Sequence, residues 1–196
     1  MSTLADLRPG DIMFARHVRP IAADLLILLG QTILGQPGYP HHVAVVTQAG
    51  DSDPTYFEPY GPSIVQAMPS GAEEIEIGQK HWTKDYIYLR PAYGIDGFGN
   101  QWIGDAVAHH ARKYIGTPYS FLDYVALTGW HMRIRNGPIH NFVTSSGHMI
   151  CSQLADQAMS DAGYHVFNDG RLPQDVTPSS LFHKMLAMPG TQIIQP

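Results

Sequence analysis

The chain predicts an α+β domain in which an antiparallel sheet or small barrel packs against helices. Two observations lead there. Strand-like runs crowd its first half and helix-periodic runs its second, an order that argues against an alternating, parallel α/β sheet. With 196 residues, 44% of them hydrophobic, the chain can bury one full core. No repeat, low-complexity tract or linker divides it, so residues 1–196 read as a single domain.

Leu7-Arg8-Pro9-Gly10-Asp11 is a turn that feeds a short strand, Ile12 to Ala15. The apolar run from Ile21 to Leu34 is interrupted by Asp24 and Gln31 and falls short of the ~20 residues that span a bilayer. It reads as a core or groove-lining helix that buries Leu25, Leu26, Leu28 and Leu29. No small-residue cleavage site follows it, which argues against a signal peptide. A cytoplasmic location is therefore the default expectation, with release by phage lysis or a specialised export route as the alternative. Gln36 to Pro40 is dense in chain breakers and forms a loop.

His42 to Thr47 is a β-branched run and reads as a buried strand. The turn Asp51-Ser52-Asp53-Pro54 leads to Thr55-Tyr56-Phe57-Glu58, the next strand of a hairpin or meander. Further strands are expected at Ser63 to Ala67, at Glu73 to Ile77 and at Tyr86 to Arg90, the last ended by Pro91.

Asn100 is placed to cap a helix from Gln101 to about Ile115, with Ile103, Ala106, Val107, His110 and Tyr114 on one stripe. Gly116-Thr117-Pro118-Tyr119 ends it. A less regular aromatic stretch, Phe121 to Trp130, precedes a turn at Asn136-Gly137-Pro138. A second helix opens at Cys151 and carries Leu154, Ala155, Ala158, Met159 and Ala162 at helical spacing until Gly163 stops it. Pro178-Ser179-Ser180-Leu181 opens a short final helix.

Charged residues make up 15% of the chain and the net charge is −5, which excludes the basic footprint of a nucleic-acid binder. Cys151 is the only cysteine, so an internal disulfide is impossible and a cysteine-based metal site is disfavoured. A thiol at a helix N-terminus faces unpaired N–H groups and a partial positive charge, which favour its reactive thiolate form. Cysteine is also among the most buried residue types, so a small core hydrophobe is the competing reading.

A nucleophilic cysteine needs a base, and the base needs a polar group to orient it. His42 begins an apolar strand after a loop, at the rim of the expected sheet. Glu58 ends the strand expected to follow it, next to Pro59, where a hairpin would bring its carboxylate beside His42.

With these pieces on one chain, the sequence resembles the circularly permuted branch of the NlpC-type papain-like cysteine hydrolases. That branch includes the YiiX-like proteins and is similar to lecithin:retinol acyltransferase. The matching segments are Leu7-Arg8-Pro9-Gly10-Asp11-Ile12, His41-His42-Val43-Ala44-Val45-Val46 and Phe57-Glu58-Pro59. They continue with Gly116-Thr117-Pro118-Tyr119, Ile150-Cys151-Ser152-Gln153-Leu154 and Pro178-Ser179-Ser180-Leu181. Each is short; their shared order, histidine strand first and cysteine helix last, is the specific signal. Unpermuted relatives have the cysteine helix first.

The resemblance implies a permuted papain-like fold with Cys151 as nucleophile, His42 as general base and Glu58 as the orienting third member. His42 is preferred to His41 because it directly precedes the strand residues that match. Tyr119 matches a tyrosine placed near the nucleophile, where its hydroxyl would contact the substrate carbonyl; packing of its ring over a helix end is the even alternative. The scheme needs no cofactor and no metal.

Four functions compete. The first is a cysteine amidase or peptidase acting on cell-wall peptide or an amide conjugate. The second is a lipid- or acyl-directed thioesterase or acyltransferase with the same triad. For it, Leu25 to Leu34 with Phe121, Tyr124 and Trp130 would line an acyl groove and make peripheral lipid contact. A histidine-based metal hydrolase is the third. Its candidates His41-His42 and His109-His110 are adjacent pairs, whose members point different ways, and no His-Glu-x-x-His spacing exists. The fourth, a binding module without activity, is opposed by the presence of all three catalytic residue types.

Overall fold

In the computed structural model the described residues are 3–16, 40–50, 61–68, 70–83, 85–94, 102–118 and 149–195. They form an α+β arrangement of six strands and three α-helices. The strands are β1 (Ile12–Ala15), β2 (His42–Gln48), β3 (Ser63–Met68), β4 (Gly71–Glu76), β5 (Tyr86–Arg90) and β6 (Gln192–Ile194). The helices are α1 (Ile103–Lys113), α2 (Cys151–Asp161) and α3 (Pro178–Leu186). One sheet joins all the strands in the order β4-β3-β2-β1-β5-β6, and every neighbouring pair is antiparallel.

The alternation of each strand sorts its side chains between two cores. Ile12, Phe14, Val43, Val45, Val65 and Ala67 point to the helical side, where they meet Val107 and Ala111 of α1, Leu154 and Ala158 of α2 and Phe182 of α3. Rings of Phe14 and Phe182 meet edge to face at 5.0 Å, which seats α3 on β1. Met13, Ala44, Val46, Ile64 and Tyr88 point the other way and bury against Leu7, Ile77 and Ile194. The central strands are thus apolar on both faces, which is why β2 reads as a continuous β-branched run.

Helix α1 is held over the sheet by a polar clasp. Glu74 Oε1 of β4 accepts from Thr47 Oγ1 at 2.6 Å and from Arg112 Nε at 2.9 Å. Partial burial raises the Glu74 pKa, but those two hydrogen bonds and the Arg112 charge outweigh it and hold the carboxyl below its ordinary value. The buried face of α1 consists of Gly104, Val107, Ala108 and Ala111. The expected stripe of Ile103, Ala106, Val107, His110 and Tyr114 is therefore rotated by about one position. Small residues let α1 approach closely: a Cβ on Gly10 would collide with the backbone of Gly104.

Several expected boundaries shift by one or two residues. Helix α1 begins after Trp102, and Asn100, its expected cap, lies outside the described residues. Strand β4 begins at Gly71, two residues before the expected Glu73, because a tight turn pairs Met68 with Gly71. Strand β6 was not expected at all. The segments Ile21 to Leu34, Thr55 to Glu58 and Phe121 to Trp130 also lie outside the described residues. Among the described residues, no helix is long and apolar enough to cross a membrane.

Candidate active site

Cys151 is the first residue of α2, as the sequence predicts. The residue before it, Ile150, is extended and contributes no capping side-chain hydrogen bond. The chain enters the helix with the Gln153 side chain reaching back to the Ile150 N–H, at 3.4 Å from Oε1. Next to the thiol, Ser152 Oγ donates to the Val176 carbonyl at 2.6 Å and pins the first turn to the segment preceding α3. Cys151 is 3% exposed and belongs to the core on the helical side of the sheet. The helix terminus favours the thiolate while apolar burial favours the neutral thiol, so the two readings of this cysteine meet in one place.

A chain of backbone hydrogen bonds carries the start of α2 to one end of the sheet. Gly116 N–H donates to the Ala72 carbonyl and Ala72 N–H to the Thr117 carbonyl, both at 2.8 Å. Met149 N–H then donates to the Pro118 carbonyl at 3.0 Å. Ala72 lies in the β3–β4 turn region, and β2, antiparallel to β3, begins at that same end. Gly71 has φ 115°, and a Cβ there would lie 3.3 Å from the Thr117 carbonyl oxygen, so this junction favours glycine. Cys151, His42 at the start of β2 and His41 just before it therefore occupy the same end of the fold.

His42 pairs with Ala15 of β1, and the N–H of His41 also reaches the Ala15 carbonyl, at 3.3 Å. His41 is 2% exposed and His42 half-buried. By alternation His42 shares the face of Ala44 and Val46, whereas Cys151 belongs to the core of Val43 and Val45. His42 and Cys151 thus lie at the same end of the sheet but on opposite faces.

On its own face His42 has a partner that sequence reasoning missed. Its Nε2 lies 2.9 Å from Gln66 Oε1 of β3. Gln66 is 8% exposed, and its Nε2 donates to Glu73 Oε1 of β4 at 3.2 Å. The signal was a glutamine inside the apolar run Ser63 to Ala67, but its meeting with His42 depends on a strand register that sequence alone does not supply.

Glu58 and Tyr119 lie outside the described residues. Among the described residues, no group of three His, Cys, Asp or Glu side chains is gathered that could hold a metal ion. The chain matches no protein-family model and no curated protein.

Proposed function

We propose that the protein is a cysteine hydrolase that opens an amide bond through an acyl-enzyme, with Cys151 as nucleophile and His42 as general base. The observation that supports this most is that the start of α2 and the start of β2 meet at one end of the sheet, held by the Ala72–Thr117 and Pro118–Met149 hydrogen bonds. A lone thiol opening a helix and an imidazole opening a central strand are the two groups that acyl transfer requires.

In this reading His42 takes the thiol proton, and the thiolate–imidazolium pair is stabilised by the N-terminus of α2. The sulfur attacks the carbonyl carbon. Backbone N–H groups of the first helical turn receive the oxyanion, each such donor being worth roughly 2.7–4 kcal/mol where it has been removed from an enzyme. His42 returns the proton to the leaving amine, and water attacks the thioester to release the acid and the free thiol. Glu58 is the orienting carboxylate in the motif resemblance, and Tyr119 the hydroxyl beside the carbonyl. The permuted NlpC-type fold belongs to the same proposal, as does a cell-wall peptide or amide conjugate as substrate.

A panel of acylating probes with an amide, a thioester or a lipid-ester scaffold tests the reading by intact mass. One acyl adduct per chain, absent in Cys151→Ala, is the expected result, and the scaffold that reacts fastest names the substrate class. Wild-type turnover of a confirmed substrate by Cys151→Ala would refute it.

A further inference from the structure

Helix α2 carries three polar residues one turn apart on one stripe: Ser152, Asp156 and Ser160. The chain that leaves the helix arches back along this stripe and is tied to it at both ends. Near the start of the arch Ser160 Oγ lies 3.3 Å from His165 Nδ1, and at its far end Ser152 Oγ donates to the Val176 carbonyl. Val166 and Val176 are buried, whereas residues 168–172 between them are exposed. A short 3-10 turn, Pro173–Asp175, packs against α2, but the backbone hydrogen bonds there are local, from Asp175 N–H to the Leu172 carbonyl and from Val176 N–H to the Pro173 carbonyl. Asp156 stands between the two ties and is 7% exposed. Among the described residues, nothing donates a hydrogen bond to its carboxylate. The cations of the arch are engaged elsewhere. Arg171 Nε donates to Asp169 Oδ2 at 2.9 Å, its guanidinium lies 4.2 Å from the centre of the Phe167 ring, and His165 meets Ser160.

We infer that the segment His165–Val176 is a proton-gated strap, closed over α2 while Asp156 carries a proton and lifted at its middle when Asp156 ionises. A neutral carboxyl is tolerated beneath the closed strap, but a charge there needs direct partners, and lifting the strap supplies them as water. Burial pushes the Asp156 pKa up to about 6, with Arg171 and His165 pulling the other way. The closed strap thus holds the proton more tightly than the lifted one, whose carboxyl returns toward the ordinary 3.8. Closure is strongest below the lower value and is progressively lost as pH rises through the upper one. The other elements around α2 leave this control to the strap. Strands β2 and β3 face the helix with Val43, Val45 and Val65, and α3 faces it with Leu181 and Phe182 while His183 and Lys184 stay exposed. From α1, His110 and Tyr114 address Asp161. Asp175 of the strap accepts from the Leu172 N–H. Within α2, Cys151 and Asp161 stand five residues to either side of Asp156. The device belongs to the fold and holds whatever Cys151 does.

Trypsin cleavage after Arg171, followed by mass spectrometry, tests the strap. A protease cleft admits only a lifted segment, so the rate follows the population of the opened form. Dividing each rate by that of an unstructured peptide of the same sequence removes the protease's own pH dependence. In wild type the normalised rate should rise roughly tenfold between pH 5 and pH 8. Asp156→Asn cannot ionise and should give a flat profile at the low wild-type rate. Amide exchange in the centre of β2 reports global unfolding, and the opening constant obtained from cleavage should exceed it at each pH. A flat wild-type profile would overturn the inference without any variant having to fold. The same rise in Asp156→Asn would overturn it too, because the proton would then sit elsewhere. Equal opening constants from cleavage and from β2 exchange would make the opening global and leave no strap.

Discussion

Arg90 of β5 grips Asp11 through two hydrogen bonds, from Nε to Oδ1 at 2.8 Å and from Nη2 to Oδ2 at 2.7 Å. Asp11 is 1% exposed, and its Oδ2 also accepts from the Arg8 N–H at 2.8 Å. Its backbone continues the lock: the Asp11 carbonyl accepts from Val46 N–H, and the Val46 carbonyl accepts from Gly10 N–H. The Arg-Pro-Gly-Asp turn is thereby fastened to both β5 and β2. Burial raises the pKa of Asp11 despite Arg90, so the carboxylate depends on its partner to stay charged.

Arg90→Ala should therefore destabilise the fold by about 3–5 kcal/mol, the usual cost of leaving one charge of a buried pair uncompensated. Replacing both residues by apolar side chains of similar volume should cost much less. Urea unfolding of the single and double variants measures both quantities, and equal losses would show that the pair is not the source of the effect.

Asp156, on the buried face of α2, gives stability a pH dependence. Desolvation pushes its pKa from the ordinary 3.8 up to about 6, against the attraction of Arg171 and His165. The folded state thus binds more protons than the unfolded state between those two values, and stability falls as pH rises through the window. The penalty is absent below the unfolded value and complete above the folded one. Asp156→Asn should be more stable than wild type at pH 7–8, by at most roughly 3 kcal/mol, and the gain should vanish near pH 4. Unfolding curves at the two pH values check the sign.

The orienting role divides between a sequence expectation, Glu58, and a structural partner, Gln66. Gln66→Ala should lower the rate of Cys151 acylation more than Glu58→Gln does, because it removes the acceptor seen on His42 Nε2. Both should act more weakly than His42→Ala, which deletes the proton acceptor. Single-turnover rates on one acylating probe rank the three variants, and the reverse order for the first two would return the role to Glu58.

Strong chelators should leave activity unchanged, since a thiolate–imidazolium pair works without an ion. Activity lost on chelation and restored by zinc would transfer attention to the histidine pairs.

Local signals made much of this fold legible. The breakers around Ile12–Ala15, the β-branched run of β2 and Pro91 after Arg90 mark strands, while Gly163, with φ 80°, marks the end of α2. Pro178 opens α3, and Thr177 Oγ1 caps it by accepting from Ser180 N–H at 3.1 Å. What escaped was set by packing. The buried stripe of α1 follows Gly104, Ala108 and Ala111 because small residues permit close approach, whereas a hydrophobicity pattern selects the bulkier Ile103 and Tyr114. Strand β6 is three residues long, and its place at the sheet edge comes from pairing with β5. The helix start at Cys151 was readable from the residues around it. The Gln66–His42 contact was not, because it joins residues on two strands whose register is a tertiary property.

The most direct test of the account is the pH dependence of iodoacetamide alkylation at Cys151, measured by intact mass in wild type, His42→Ala and His41→Ala. Restricted access to the buried thiol lowers the rate at every pH, whereas the midpoint of the profile reports the balance between burial, which favours the thiol, and the groups around it that favour the thiolate. Wild type and His41→Ala should react with a midpoint well below the ~8.5 of a free thiol, and His42→Ala should shift the midpoint upward. A wild-type midpoint at or above 8.5, or one that His42→Ala leaves unmoved, would contradict the pairing of Cys151 with His42.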